Sequence, residues 1–138
     1  MKIPVPVRIA LALFLATLIL ACSPEPPVSN AITGTELAAR LADNDPPLIL
    51  DVRTEKEFAS GHIPGAINIP HLQLAERMSE LPADTGTEIV VHCRSGKRAE
   101  EAEAVLEAAG YSAVRDLDGH MLAWSSAGLP VTVVESTE

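Results

Sequence analysis

The chain has 138 residues, of which 47% are apolar, 21% charged and 3% aromatic. This is the length of one domain, and the apolar content suffices for a core, which excludes global disorder. A formal charge of −9 without a basic footprint excludes a nucleic-acid partner. Two cysteines, Cys22 and Cys93, are too few for a disulfide-stapled mini-fold. His62, His71, His92 and His120 match no common zinc spacing, so no metal site is expected.

Residues 1–21 read as a signal peptide. Lys2 and Arg8 precede an uncharged apolar run of 13 residues, Ile9 to Ala21. That is a signal-core length, whereas a spanning helix needs about 20 apolar residues. Export is favoured over a retained membrane anchor. The run ends at Ile19-Leu20-Ala21-Cys22, which resembles a bacterial lipobox and implies lipidation of Cys22. Residues 22–30 then form a Pro-rich tether with ~3 Å of reach per residue. The expected location is the bacterial cell envelope, lipid-anchored and facing the periplasm. Ser23 after the lipid cysteine points to the outer membrane rather than the inner. The lipid is the only expected membrane contact.

Residues 31–138 carry the pattern of a compact α/β domain. Thr33 and Glu36 have capping-box spacing, and Leu37, Ala38 and Leu41 recur on one helical face before Pro46-Pro47. Leu48 to Val52 is a nearly continuous apolar run, as expected of a strand buried on both faces. Ala66 to Ile69 reads as a short strand. Leu72, Ala75, Met78 and Leu81 keep a helical spacing that Pro82 stops. Glu88 to His92 is a β-branched strand. Lys97 to Ala109 reads as a helix closed by Gly110, with Ala99, Ala102, Val105, Leu106 and Ala109 inward and Glu100, Glu101, Glu103 and Glu107 mostly toward water. Ala113 to Leu117 is a further strand, Gly119 to Ser126 a short helix, and Val131 to Val134 a last strand or tail. Such alternation predicts a mostly parallel central sheet with helices on both faces, and ligands bind such sheets beyond the carboxyl ends of the strands.

The chemistry gathers where the strand Glu88–His92 runs into Cys93-Arg94-Ser95-Gly96-Lys97-Arg98 and a helix begins. Cys93 lies at a strand's carboxyl end and a helix N-terminus, where unpaired amides favour an anion and hence the thiolate. Arg94, Lys97 and Arg98 add positive charge to an acidic chain. Gly96 lets the backbone curl into an anion-binding concavity. With Cys22 lipidated, Cys93 has no disulfide partner, and a free thiol in an oxidising compartment points to a reactive sulfur role.

Four stretches together resemble a single-domain rhodanese, a sulfurtransferase. They are Leu50-Asp51-Val52-Arg53; Glu57-Phe58 with Gly61-His62-Ile63-Pro64-Gly65-Ala66-Ile67-Asn68-Ile69-Pro70; the loop Cys93 to Arg98; and Leu117-Asp118-Gly119 with Trp124 and Ala127-Gly128-Leu129-Pro130-Val131. The resemblance implies a rhodanese-like fold and a two-step transfer without metal or organic cofactor. Cys93 would take sulfur from a small anionic donor such as thiosulfate and pass it from a persulfide to cyanide or a thiol acceptor. Arg94, Ser95, Gly96, Lys97 and Arg98 would bind the donor. A non-catalytic persulfide carrier or binding module fed by a partner protein is the alternative. A phosphatase loop of the C-x5-R type would put arginine at 99, where this chain has Ala99; Arg98 gives C-x4-R, a shorter loop suited to a single sulfur. One departure stands at 120, where the family often has a second glycine after Asp-Gly and this chain has His120. That imidazole would narrow the pocket or add a donor near its rim.

The remaining polar residues read as structural. Asp51 and Arg53 brace the loop rather than line the pocket. Alternation turns the His92 side chain away from that of Cys93. His62 with Pro64-Gly65 fixes a turn, and Trp124 belongs to the core. Ser95 offers a hydroxyl to an anion or satisfies the loop backbone. His71 has the weakest functional case.

Overall fold

The computed structural model describes residues 30–135. The signal segment, the lipobox cysteine Cys22 and the tether up to residue 29 lie outside the described residues.

Among the described residues, five strands form one sheet: β1 (Ala31–Ile32), β2 (Leu48–Asp51), β3 (Ile67–Asn68), β4 (Ile89–His92) and β5 (Val114–Leu117). Their order is β1-β5-β4-β2-β3, and every pairing is parallel. Four α-helices cover it: α1 (Gly34–Ala42), α2 (Glu55–Ala59), α3 (Lys97–Ala108) and α4 (His120–Ser126). The expected parallel α/β architecture is the one observed. β4 lies at the centre, and all four of its residues are buried. Side chains alternating across it feed two cores. Val91, Cys93 and Ile89 pack with Ala99, Ala102 and Leu106 of α3. Val90 packs on the other face with Leu37 of α1 and Met121 and Trp124 of α4. The result is three layers, helix–sheet–helix, with the loop after β4 leading into α3 and bonded to the first residues of α4.

Local signals account for the helix starts. Thr33 caps α1 by accepting from the Glu36 amide at 3.1 Å, a contact worth about 1 kcal/mol. The full reciprocal capping box is found instead at α2, where Thr54 accepts from the Glu57 amide and Glu57 accepts from the Thr54 amide. α2 and the two-residue β1 have no counterpart among the sequence expectations. Both are too short to leave a periodic apolar pattern.

Other expectations need correction. The helix drawn through Leu72, Ala75, Met78 and Leu81 is two 3-10 turns, His71–Gln73 and Met78–Glu80. Leu72 is 83% exposed while Leu74 is buried, so the inward position is not on the apparent face. The segment is pinned from outside, with the His71 amide bonded to the Val52 carbonyl, which fixes its first turn to the sheet rather than to its own next turn. α3 stops at Ala108, with Ala109 exposed as its C-cap. Val131 to Val134 forms no strand beyond one antiparallel bridge between Thr132 and His62. Glu103 does not face water with its acidic neighbours. Its Oε1 is buried against Asp116.

Candidate active site

The loop after β4 takes its shape from both neighbouring helices. Gly96 has φ 123°, a conformation glycine adopts freely, and this turns its amide back onto the cysteine. Gly96 N–H donates to Cys93 Sγ at 3.0 Å. The loop carbonyls point the other way. Cys93 O accepts from the Met121 amide at 3.1 Å and Arg94 O from the Leu122 amide at 3.2 Å. The first turn of α4 thus holds the loop's carbonyls outward. Cys93 itself is 1% exposed and carries no disulfide.

The predicted site residues divide by what holds them. Arg94, Ser95 and Lys97 are exposed. Arg98 is partly buried and already engaged. Its Nη1 and Nη2 donate to Glu57 Oε2 and Oε1 at 2.7 and 2.9 Å, a bidentate geometry that fixes orientation as well as charge. The same guanidinium also interacts with the Cys93 sulfur, which with Glu57 raises its affinity for the proton. The Arg98 hydrogen bond holds the Glu57 carboxyl down at about 2, with help from Thr54. Glu57 therefore caps α2 and anchors the first turn of α3 at once. The Thr54-x-x-Glu57 spacing was the available signal for it. Ala99 is fully buried in the core beside the loop.

The strand end next to β4 carries the expected Asp51–Arg53 pair, but Arg53 also lines the cavity beside the loop, which corrects the reading that it stays off the pocket. Asp51 pairs with Arg53 through Arg53 Nε at 2.9 Å and Nη2 at 2.6 Å, and also accepts the Arg53 amide at 3.0 Å. Arg53 goes on to the Gly61 carbonyl at 2.9 Å, which ties down the loop that His62 enters. His62 donates from Nδ1–H to the Phe58 carbonyl at 2.9 Å and stacks on the Phe58 ring. Trp124 is buried and donates to the Pro130 carbonyl at 2.8 Å. His92 is fully buried on the face away from Cys93, with Nε2 3.7 Å from Asp51 Oδ2. Burial pushes its pKa down to about 4, against the pull of Asp51, so it is neutral at physiological pH. His71 lies 3.6 Å from Glu101, away from the loop.

Beside the loop is an open cavity of about 360 Å³, lined in part by Arg53, Glu57, Gly61, Arg94, Met121 and Leu122. Arg94 adjoins Cys93 in sequence, and the Met121 amide binds the Cys93 carbonyl. An anion in this space meets two arginines, Arg94 exposed and Arg53 neutralised by Asp51, and the Glu57 carboxylate, which is paired with Arg98. His120 is not on the cavity wall. It lies behind the loop, 6% exposed, where its Nδ1 accepts from the Cys93 amide at 3.4 Å. It neither narrows this cavity nor donates at its rim.

The family model for the rhodanese-like domain matches residues 33–127. The chain belongs to the rhodanese-like family. The chain is 42% identical over 106 residues to a sulfurtransferase of Allochromatium vinosum, covering 77% of the chain and 97% of that protein. It is 30% identical over 129 residues to a thiosulfate:glutathione sulfurtransferase of Saccharomyces cerevisiae, covering 73% of the chain and 93% of that relative. A crystal structure of a rhodanese-related protein from Thermoplasma volcanium superimposes with a TM-score of 0.65 at 30% identity, over 76% of this chain and 98% of that one.

Proposed function

We propose that this rhodanese-like protein is a sulfurtransferase that moves a sulfane sulfur from thiosulfate or a similar anionic donor, through a persulfide on Cys93, to cyanide or a thiol. The observation that carries the reading is the loop itself. A free cysteine at the end of the central strand receives a backbone amide on its sulfur, next to a fixed arginine and an exposed one. Relatives that are sulfurtransferases support the same chemistry.

The Cys93 thiolate attacks the outer sulfur of thiosulfate. A new S–S bond forms to Cys93 as the old one breaks, and sulfite leaves with the bonding pair. The terminal persulfide sulfur carries the negative charge, which the Gly96 amide and the Arg98 guanidinium offset. Cyanide or a thiolate then attacks that sulfur, giving thiocyanate or a new persulfide and restoring the Cys93 thiolate. One hard transfer is split into two easier ones. Preorganised donors lower the energy of the charge that develops on sulfur. Arg94 on the cavity wall, with Ser95 and Lys97 exposed on the same loop, would draw the incoming anion. No general base is needed at His92, which faces away and is buried.

The signal peptide and the lipid on Cys22 would hold this activity at the periplasmic face of a bacterial envelope, on the outer membrane. The support is the apolar run and the lipobox-like Ile19-Leu20-Ala21-Cys22. Fatty-acid labelling that is lost in C22A is the expected result; labelling that persists contradicts the anchor.

Thiocyanate formation from thiosulfate and cyanide tests the reaction. Turnover by the wild type is expected, with none in C93S. A wild type that takes no sulfur from thiosulfate but accepts it from a partner protein's persulfide is instead the carrier.

A further inference from the structure

We propose that His120 is a positioning residue for the Cys93 loop, one whose protonation loosens that loop; the inference rests on the assignment of Cys93 as the sulfur-bearing residue. His120 has φ 50°, directly after Gly119 at φ 70°. A left-handed backbone is uncommon for a residue with a side chain and warrants a functional reading where the side chain touches a site. Here it does. His120 Nδ1 accepts the Cys93 amide, so the neutral ring carries its proton on Nε2. That Nε2 sits against Gly96, where an added Cβ would come within 2.9 Å of it. One ring therefore touches the loop at both Cys93 and Gly96, the residue whose amide holds the sulfur.

Behind the ring lies an acidic pair. Nε2 is 3.6 Å from Asp116 Oδ1, and that oxygen and Glu103 Oε1 are buried with no hydrogen-bond partner among the described residues. The ionisable groups facing the ring are Cys93 and His92 of β4 and Asp116 of β5, with Glu103 of α3 beyond. Glu100 and Glu107 of α3 in turn face Glu103. Protonation of His120 puts N–H on both ring nitrogens. Nε2 is drawn to Asp116, and Nδ1 can no longer accept the Cys93 amide. The loop then loses one of its ties beside the sulfur, while the Met121 and Leu122 amides keep theirs. Neutral His120 is the form that holds the loop.

Two substitutions separate this from simple packing. H120G suits the backbone but removes the ring. H120N also tolerates a positive φ and places an amide oxygen near the Nδ1 position, yet it does not titrate. Two readouts on the full chain are the single-turnover loading of sulfur from thiosulfate and the carbamidomethylation rate at Cys93, both followed against pH by peptide mass spectrometry, with thermal melts to confirm folding. H120G is expected to slow both about tenfold with little change in the thiosulfate KM, the signature of a misplaced reacting group. H120N is expected to restore both at neutral pH, and the ratio of wild-type to H120N rate should fall as pH is lowered. Wild-type rates in H120G, or a wild-type to H120N ratio that is flat with pH, would overturn the proposal. Absence of loading in the wild type with the alkylation pattern intact would sink the thiosulfate reading and leave the positioning role standing.

Discussion

Two neighbouring strand ends are treated in opposite ways. Asp51 of β2 and His92 of β4 lie side by side in register, and each strand then runs straight into a charged segment. At the β2 end the charges close on themselves. Asp51 and Arg53 are both buried and meet in a pair that also satisfies a backbone amide. At the β4 end Arg98 is paired with Glu57, but the other two cations stay open. Arg94 and Lys97 reach solvent, and the sulfur holds the Gly96 amide as a local donor. The first end is a closed ion pair, and the second is the loop proposed to carry the sulfur. His92 joins the two, neutral because burial dominates its titration.

If this division of labour is right, substitutions at the two ends fail differently. The largest effect falls on activity. C93S should lower sulfur transfer by about 10³-fold or more, as loss of a covalent nucleophile does, while its thermal melt stays close to the wild type. Next is stability at the closed pair. D51A leaves Arg53 buried without its partner and should destabilise by about 3–5 kcal/mol in a denaturant titration. Near-wild-type stability of D51A would contradict a stabilising role for the pair.

Smaller effects sharpen the comparison on the α3 side. Glu57 is held at about 2 by Arg98. Its stabilising contribution is fully present above its ordinary pKa near 4.5 and is lost as pH falls toward 2. E57Q should therefore cost about 1 kcal/mol at pH 7, because the pair is partly exposed, and show a weaker acid dependence of stability between pH 5 and 2. It should also free Arg98 and lower the loading rate. The opposite sign is expected at Glu103, pushed up to about 7 by burial and by Asp116. The folded state gains from the protonated form, fully so below pH 4.5, and loses that gain as pH rises through 7. E103Q should melt higher than the wild type at pH 8 and match it at pH 4.

Much of this was legible in the sequence because the governing forces are local. The nearly continuous apolar run at Leu48–Val52 and the β-branched run at Glu88–His92 read as buried strands, and a cysteine, a glycine and three cations at a strand–helix junction mark the loop. The ion pair was readable too, since Asp51 and Arg53 are two residues apart. What escaped was set by tertiary contact. Glu57 reaches Arg98 across 41 positions. The Leu72–Leu81 segment has a helical period but is bent into 3-10 turns by its tie to the end of β2. His120 stood out as a departure from the family pattern, but its contact with the Cys93 amide depends on how α4 is swung back over the loop.

The central claim is that Cys93 carries the transferred sulfur, and intact mass spectrometry tests it most directly. The protein is treated with thiosulfate, measured, then treated with cyanide and measured again. The expected result is a gain of one sulfur atom that maps to Cys93 and disappears with cyanide. No gain, with Cys93 shown to be reduced and accessible to alkylation, would contradict it.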